Sequence, residues 1–107
     1  VDVPEIDITE LAERRDAGAF VLDVRQPDEY DEAHVPGAVL VPLAEVPDRV
    51  GELPPDTPVL VICRSGARSL RAAEFLIEAG IDATNISGGT LAWIDAGQPV
   101  ATGSAPG

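Results

Sequence analysis

Four consecutive apolar residues, Val59-Leu60-Val61-Ile62, run into the only cysteine of the chain, Cys63, and then into Arg-Ser-Gly-Ala-Arg-Ser. A strand with one wet face alternates apolar and polar side chains. A run with no polar member has to be covered on both faces, which places it inside a parallel sheet. Ala19 to Val24, in "AFVLDVR", predicts a second buried strand that ends in charge. "AVLVPL" (38–43) and "ATNI" (83–86) predict two further short ones.

Helical signals fall between these runs. Asp7-x-x-Glu10 ahead of Leu11 and Ala12 reads as a capping box, with the helix stopping at Gly18. Pro27 opens a short helix in "QPDEYDEA", and "LAEVPDRV" predicts a weak one interrupted at Pro47. From Ser69 to Ala79 the polar stripe Arg71, Glu74, Glu78 opposes Leu70, Ala73, Leu76 and Ile77, with Gly80 as C-cap. Gly88-Gly89 predicts a tight turn and "LAWIDAG" a last helix. "LPPDTP" is a rigid loop, and "QPVATGSAPG" reads as disordered, so a domain over 1–100 is followed by a tail over 101–107. Strands alternating with helices predict an α/β fold, a parallel sheet covered on both faces.

Charge narrows the function. The formal net charge is −12 over 107 residues, with no lysine. Nucleic acid and anionic membranes would repel such a chain, and no window approaches transmembrane length. Yet Arg64, Arg68 and Arg71 follow Cys63 with no acid from 63 to 71. This positive island in an acidic protein suits a small anion. One cysteine excludes an internal disulfide or a Cys-x-x-Cys pair, and one histidine excludes a metal cluster. A reducing, cytoplasmic compartment is the default expectation. No signal peptide is legible, and because Val1 is not Met, residues can precede it.

Cys63 stands where open parallel sheets place their sites, outside the carboxyl end of a strand. Its loop enters a helix, so backbone N–H groups and the positive end of the helix dipole converge near the sulfur. With two arginines added, these favour thiolate over thiol. A free thiol has a pKa of roughly 8.5, and such surroundings bring it to roughly 3.5–7.5. Gly66 allows the positive φ that a tight cradle requires. The competing reading, an inert buried cysteine continuing "VLVI", explains neither the arginines nor the loop.

The loop "CRSGARS" resembles the active-site loop of single-domain rhodaneses, the thiosulfate sulfurtransferases. "FVLDVRQPDEYDEAHVPGAVLVPL" and "GGTLAWIDAGQPV" are similar to that family's first and last blocks. The resemblance implies a five-stranded parallel sheet flanked by helices on both faces. It implies a Cys63 persulfide that moves sulfane sulfur from thiosulfate or a similar donor to cyanide or a thiol, with no cofactor. By the same resemblance, the amides of Arg64, Ser65, Gly66, Ala67 and Arg68 hold the persulfide, and the two arginines bind the sulfonate end of thiosulfate. Ala33 stands before His34 where the family often has Gly. Asp23 and Ser69 are candidates for the layer behind the loop; a strand-end polar role accounts for Asp23 equally well.

The remaining residues read as structural. Arg25 and Glu29 are expected to pair across a turn. His34 is not needed as a base for a sulfur already ionised, and Trp93 belongs in the core. Other functions stay open: a sulfur carrier or regulatory binding module handing sulfur to a partner such as a reduced dithiol protein, or a phosphatase or arsenate reductase. Phosphatases resembling the tyrosine-specific type use Cys-x5-Arg, whereas here the second arginine closes Cys-x4-Arg and Ser69 occupies the longer position. The shorter loop fits one sulfur and crowds a phosphoryl group.

Overall fold

The computed structural model describes residues 1–107. Five strands form one sheet: β1 (Glu5–Ile6), β2 (Phe20–Asp23), β3 (Val39–Leu40), β4 (Val59–Ile62) and β5 (Ala83–Ile86). Their spatial order is β1-β5-β4-β2-β3, and every pairing is parallel. β4, apolar throughout, is the central strand as its composition requires. β1 was not expected, since two residues, Glu5 and Ile6, carry no periodic signal. "AVLVPL" contributes only Val39–Leu40 to the sheet, because Pro42 begins the turn that follows.

Four helices connect the strands, α1 (Ile8–Asp16), α2 (Pro27–Glu32), α3 (Val46–Arg49) and α4 (Ala67–Glu78), and a fifth, α5 (Gly89–Asp95), follows β5. Asp7 caps α1 by accepting from the Glu10 N–H at 3.0 Å. Pro47 does not interrupt its helix. It lies in the first turn of α3, where a missing N–H costs nothing, and single 3₁₀ turns extend the segment on either side. α4 starts two residues earlier than the sequence suggests, at Ala67, because Gly66 supplies a left-handed entry at φ 118°.

Alternation along the strands divides the core between the two faces. Leu22, Val24, Val59, Val61 and Cys63 pack with Val46 and with Ala72, Ala73 and Leu76 of α4. Val21, Leu60, Ile62 and Ile86 pack with Leu11 of α1, Tyr30 of α2 and Trp93 of α5. A central strand so enclosed fixes the loop at its end. Each fully buried Leu or Ile contributes roughly 1.5–3 kcal/mol. No helix is long and apolar enough to cross a membrane.

Residues beyond 100 differ from the expectation of a tail without structure. His34 and Ala101 exchange two backbone hydrogen bonds at 2.9 Å, and the N–H groups of Gly37 and Gly103 donate to Pro106 and Asp31 at 2.7 and 2.8 Å. These ties are backbone to backbone, so a small, polar composition gives no sign of them. His34 is fully buried, stacked on Tyr30, with its ring nitrogens against the carbonyls of Tyr30 and Pro106. Its contacts are those of a structural residue.

Candidate active site

Cys63 follows the last residue of β4, and the next three residues turn the chain into α4. The thiol is 1% exposed. The Gly66 N–H donates to its sulfur at 3.1 Å, and the Ser69 hydroxyl lies 3.3 Å away. Burial, the largest single influence, pushes the Cys63 thiol up. Hydrogen bonds from the Ser69 hydroxyl and from the Ser69, Gly66 and Ser65 backbones outweigh it, leaving the thiol below its ordinary value. Ala67 and Arg68 open α4, so their N–H groups have no intrahelical acceptor and add to the positive end of the helix.

The loop is held from the other side by α5. The Thr90 N–H and hydroxyl both donate to the Cys63 carbonyl, at 2.9 and 3.1 Å, and the Leu91 N–H donates to the Arg64 carbonyl at 3.1 Å. With the Arg64 carbonyl drawn toward α5, the N–H of the same peptide unit, that of Ser65, is left on the side of the sulfur, beside that of Gly66. This close approach requires Gly89. A Cβ there would stand 2.5 Å from the carbonyl oxygens of both Cys63 and Arg64. Gly89 therefore does more than make a turn, and no sequence pattern distinguishes it from any other turn glycine.

The two loop arginines have different surroundings. Arg68 is clasped by Glu29, Nη1 and Nη2 donating to the two carboxylate oxygens at 2.7 and 2.9 Å. The side-chain bonds from Arg68, the largest influence, hold the Glu29 carboxyl down at about 2. Glu29 also accepts from the Gln26 N–H at 3.0 Å, so the start of α2 and the loop share one carboxylate. Arg64 has no carboxylate partner. It lines a cavity of about 300 Å³ with Glu32, Ala33, Leu91 and Ile94. Arg71, expected on the surface, is exposed on α4.

Arg25 does not pair with the Glu29 carboxylate as expected. It forms a buried pair with Asp23 at 2.8 Å, the side chains 5% and 0% exposed, and reaches only the Glu29 backbone carbonyl. Its remaining donor capacity goes to the Ala33 carbonyl at 2.8 Å. The Asp23 carboxylate is thus taken up by Arg25 and presents no free oxygen to the crevice. Ser69, by contrast, is directly against the sulfur. Asn85, in β5, is a neighbour the sequence does not reveal, since "ATNI" reads as an ordinary strand.

The family model for a rhodanese-like domain matches residues 7–96. A sulfurtransferase of Allochromatium vinosum is 36% identical over 101 residues, spanning 92% of this chain and 94% of that protein. Thiosulfate sulfurtransferase 18 of Arabidopsis thaliana is 33% identical, spanning 94% of this chain and 85% of that protein. Among solved structures, a rhodanese-related protein from Thermoplasma volcanium superposes with a TM-score of 0.87 at 34% identity. That match covers 92% of this chain and 97% of the other.

Proposed function

The chain belongs to the rhodanese-like domain family, and from that premise we propose that it transfers sulfane sulfur through a persulfide on Cys63, with thiosulfate as a competent donor. The observation that carries the proposal is the convergence of the Gly66 N–H and Ser69 hydroxyl on one buried sulfur at the mouth of a helix. In the first step the Cys63 thiolate attacks the outer sulfur of thiosulfate. The sulfur–sulfur bond of the donor breaks, sulfite leaves with its electron pair, and Cys63 carries a persulfide anion. In the second step cyanide or a thiolate attacks the terminal sulfur. Thiocyanate or a new persulfide departs, and the Cys63 thiolate is restored. No net oxidation occurs, and neither step needs a cofactor.

Each loop residue has a role in this scheme. The N–H groups at the start of α4 face the extra negative sulfur without giving up existing bonds. Arg64, free of any carboxylate, holds the sulfonate end of the donor. Arg68 is committed to Glu29 and fixes the loop instead, which revises the expectation that both arginines bind sulfonate. With one cysteine the protein cannot release its own sulfur as a disulfide, so a small thiol or a reduced dithiol protein must accept it.

Intact-mass measurement tests the reading. Thiosulfate should add one sulfur atom to the protein, cyanide should remove it, and Cys63→Ser should take up none. A Cys63→Ser protein that still made thiocyanate would overturn it. So would aryl-phosphate hydrolysis by the unmodified protein that depended on Cys63.

A further inference from the structure

Behind the sulfur lies a chain of hydrogen bonds reaching the far edge of the sheet. The Ser69 oxygen is 3.3 Å from Cys63 Sγ, 3.2 Å from the Gly66 carbonyl and 2.5 Å from Asn85 Oδ1. A hydroxyl has one proton, so it can serve only one of these acceptors at a time. The orientation of Asn85 follows from its other contacts. Its amide nitrogen faces two acceptors, the Glu5 carboxylate at 2.9 Å and the Gly66 carbonyl at 3.3 Å, so its oxygen must face Ser69. Register produces this arrangement: Glu5 of β1 and Val61 of β4 are the strand partners of Asn85 on either side.

We infer that Asn85, anchored by Glu5, is a positioning residue that draws the Ser69 proton away from Cys63 and so favours the sulfur-loaded state over the free thiolate. The inference rests on the persulfide reading above. With a neutral sulfur, the chain from Ser69 through Asn85 to Glu5 is complete. With a thiolate, Ser69 must turn to the sulfur, leaving two oxygens 2.5 Å apart with no proton between them. Loading removes the conflict. Once Cys63 Sγ is bonded to a second sulfur, the negative charge sits on the outer atom, and the Ser69 proton returns to Asn85. The amide could resolve the conflict in the empty state by turning over, but its oxygen would then face the Glu5 carboxylate.

The other charged groups around Cys63 do not substitute for this chain. Arg68 of α4 is paired with Glu29 of α2, Asp23 of β2 is paired with Arg25, and Arg64 is exposed in the loop itself. Glu5 is exposed on an edge strand, so it can be changed without disturbing the core.

The test compares Glu5→Ala with Glu5→Gln. Both remove a negative charge, but only glutamine keeps an oxygen for the Asn85 amide. Cys63 is alkylated with iodoacetamide over a pH series at low and high salt. Relative to Glu5→Gln, Glu5→Ala should raise the alkylation rate below the midpoint roughly fivefold, the worth of one hydrogen bond. That difference should persist in high salt and vanish when both changes are placed in a Ser69→Ala background. Equilibration of loaded protein with sulfite should shift toward empty protein in Glu5→Ala by a similar factor. Equal rates for the two Glu5 variants would overturn the inference, as would a difference that survives in Ser69→Ala. Alkylation does not depend on sulfur transfer. If no variant took sulfur from thiosulfate while the alkylation order held, the transfer reading alone would fail.

Discussion

Replacing Gly89 by alanine isolates what α5 does for the loop. The new Cβ would lie 2.5 Å from two carbonyl oxygens, and ordinary contact begins at 3.4 Å, so about 0.9 Å must be opened between α5 and the Cys63–Arg64 backbone. Both sides of that contact are backbone, and no flexible side chain can yield. Left-handed φ at 58° adds roughly 1 kcal/mol for a residue with a Cβ, and forced overpacking roughly 1–3 kcal/mol. The loss of roughly 2–4 kcal/mol should lower the midpoint of thermal unfolding by on the order of 10–30 °C for a domain of this size. Displacing the nucleophile by nearly 1 Å should slow sulfur loading on the order of 100-fold. Gly80→Ala is the matched control: φ is 88°, but no atom lies within 4 Å of its Cβ. It should lose stability from backbone strain alone and load sulfur at the unmodified rate. Circular dichroism melts and single-turnover loading followed by mass supply the two readings. If Gly89→Ala loads sulfur as fast as Gly80→Ala, the close approach of α5 does not set the loop geometry.

Three further changes test other parts of the site. Glu29→Gln should destabilise the protein by a margin that is constant above about pH 5 and shrinks as pH falls from 4.5 through about 2, because a carboxyl held low by Arg68 contributes stability only while ionised. Urea midpoints across that range would show it, and a margin that grew in acid would contradict the pairing. Asp23→Asn leaves Arg25 buried without a counter-charge and should cost about 3–5 kcal/mol in urea unfolding; a loss below about 1 kcal/mol would refute the pair's importance. Arg64→Ala should lower kcat/KM for thiosulfate about tenfold or more, with Arg71→Ala near unmodified, and equal losses would mean that general charge rather than loop position attracts the donor.

The parts of the fold that were legible are those with local causes. Four apolar residues in a row identified β4 as central, and the loop that follows them marked Cys63 as the candidate nucleophile at a strand-to-helix turn, because burial on both faces and such a turn leave marks in adjacent residues. The Arg71-Glu74-Glu78 stripe located α4 for the same reason. What escaped depends on residues far apart. Arg68 finds Glu29 from 39 positions away, and Ser69 finds Asn85 from 16 away. Arg25 looked like a partner for Glu29 because both lie in one short turn. Only the buried end of β2 shows that Asp23 is nearer. β1 escaped because a two-residue edge strand owes its existence to β5 rather than to any propensity of its own.

The strand order has a consequence for how the protein is made. β1 is made before the other four strands, yet its partner β5 lies 80 residues further along, Glu5 in register with Asn85 and Ile6 with Ile86. The carbonyls of Cys63 and Arg64 likewise wait for Thr90 and Leu91. At translation rates of roughly 5–20 residues per second, the cysteine exists for seconds before the elements that orient its loop. During that interval, before its loop has formed, the thiol has a pKa of roughly 8.5 and is mostly protonated at neutral pH. The groups that lower the Cys63 thiol, the Ser69 hydroxyl and the Ser69, Gly66 and Ser65 backbones, come with the loop and α4, and the anchorage of that loop on α5 comes last.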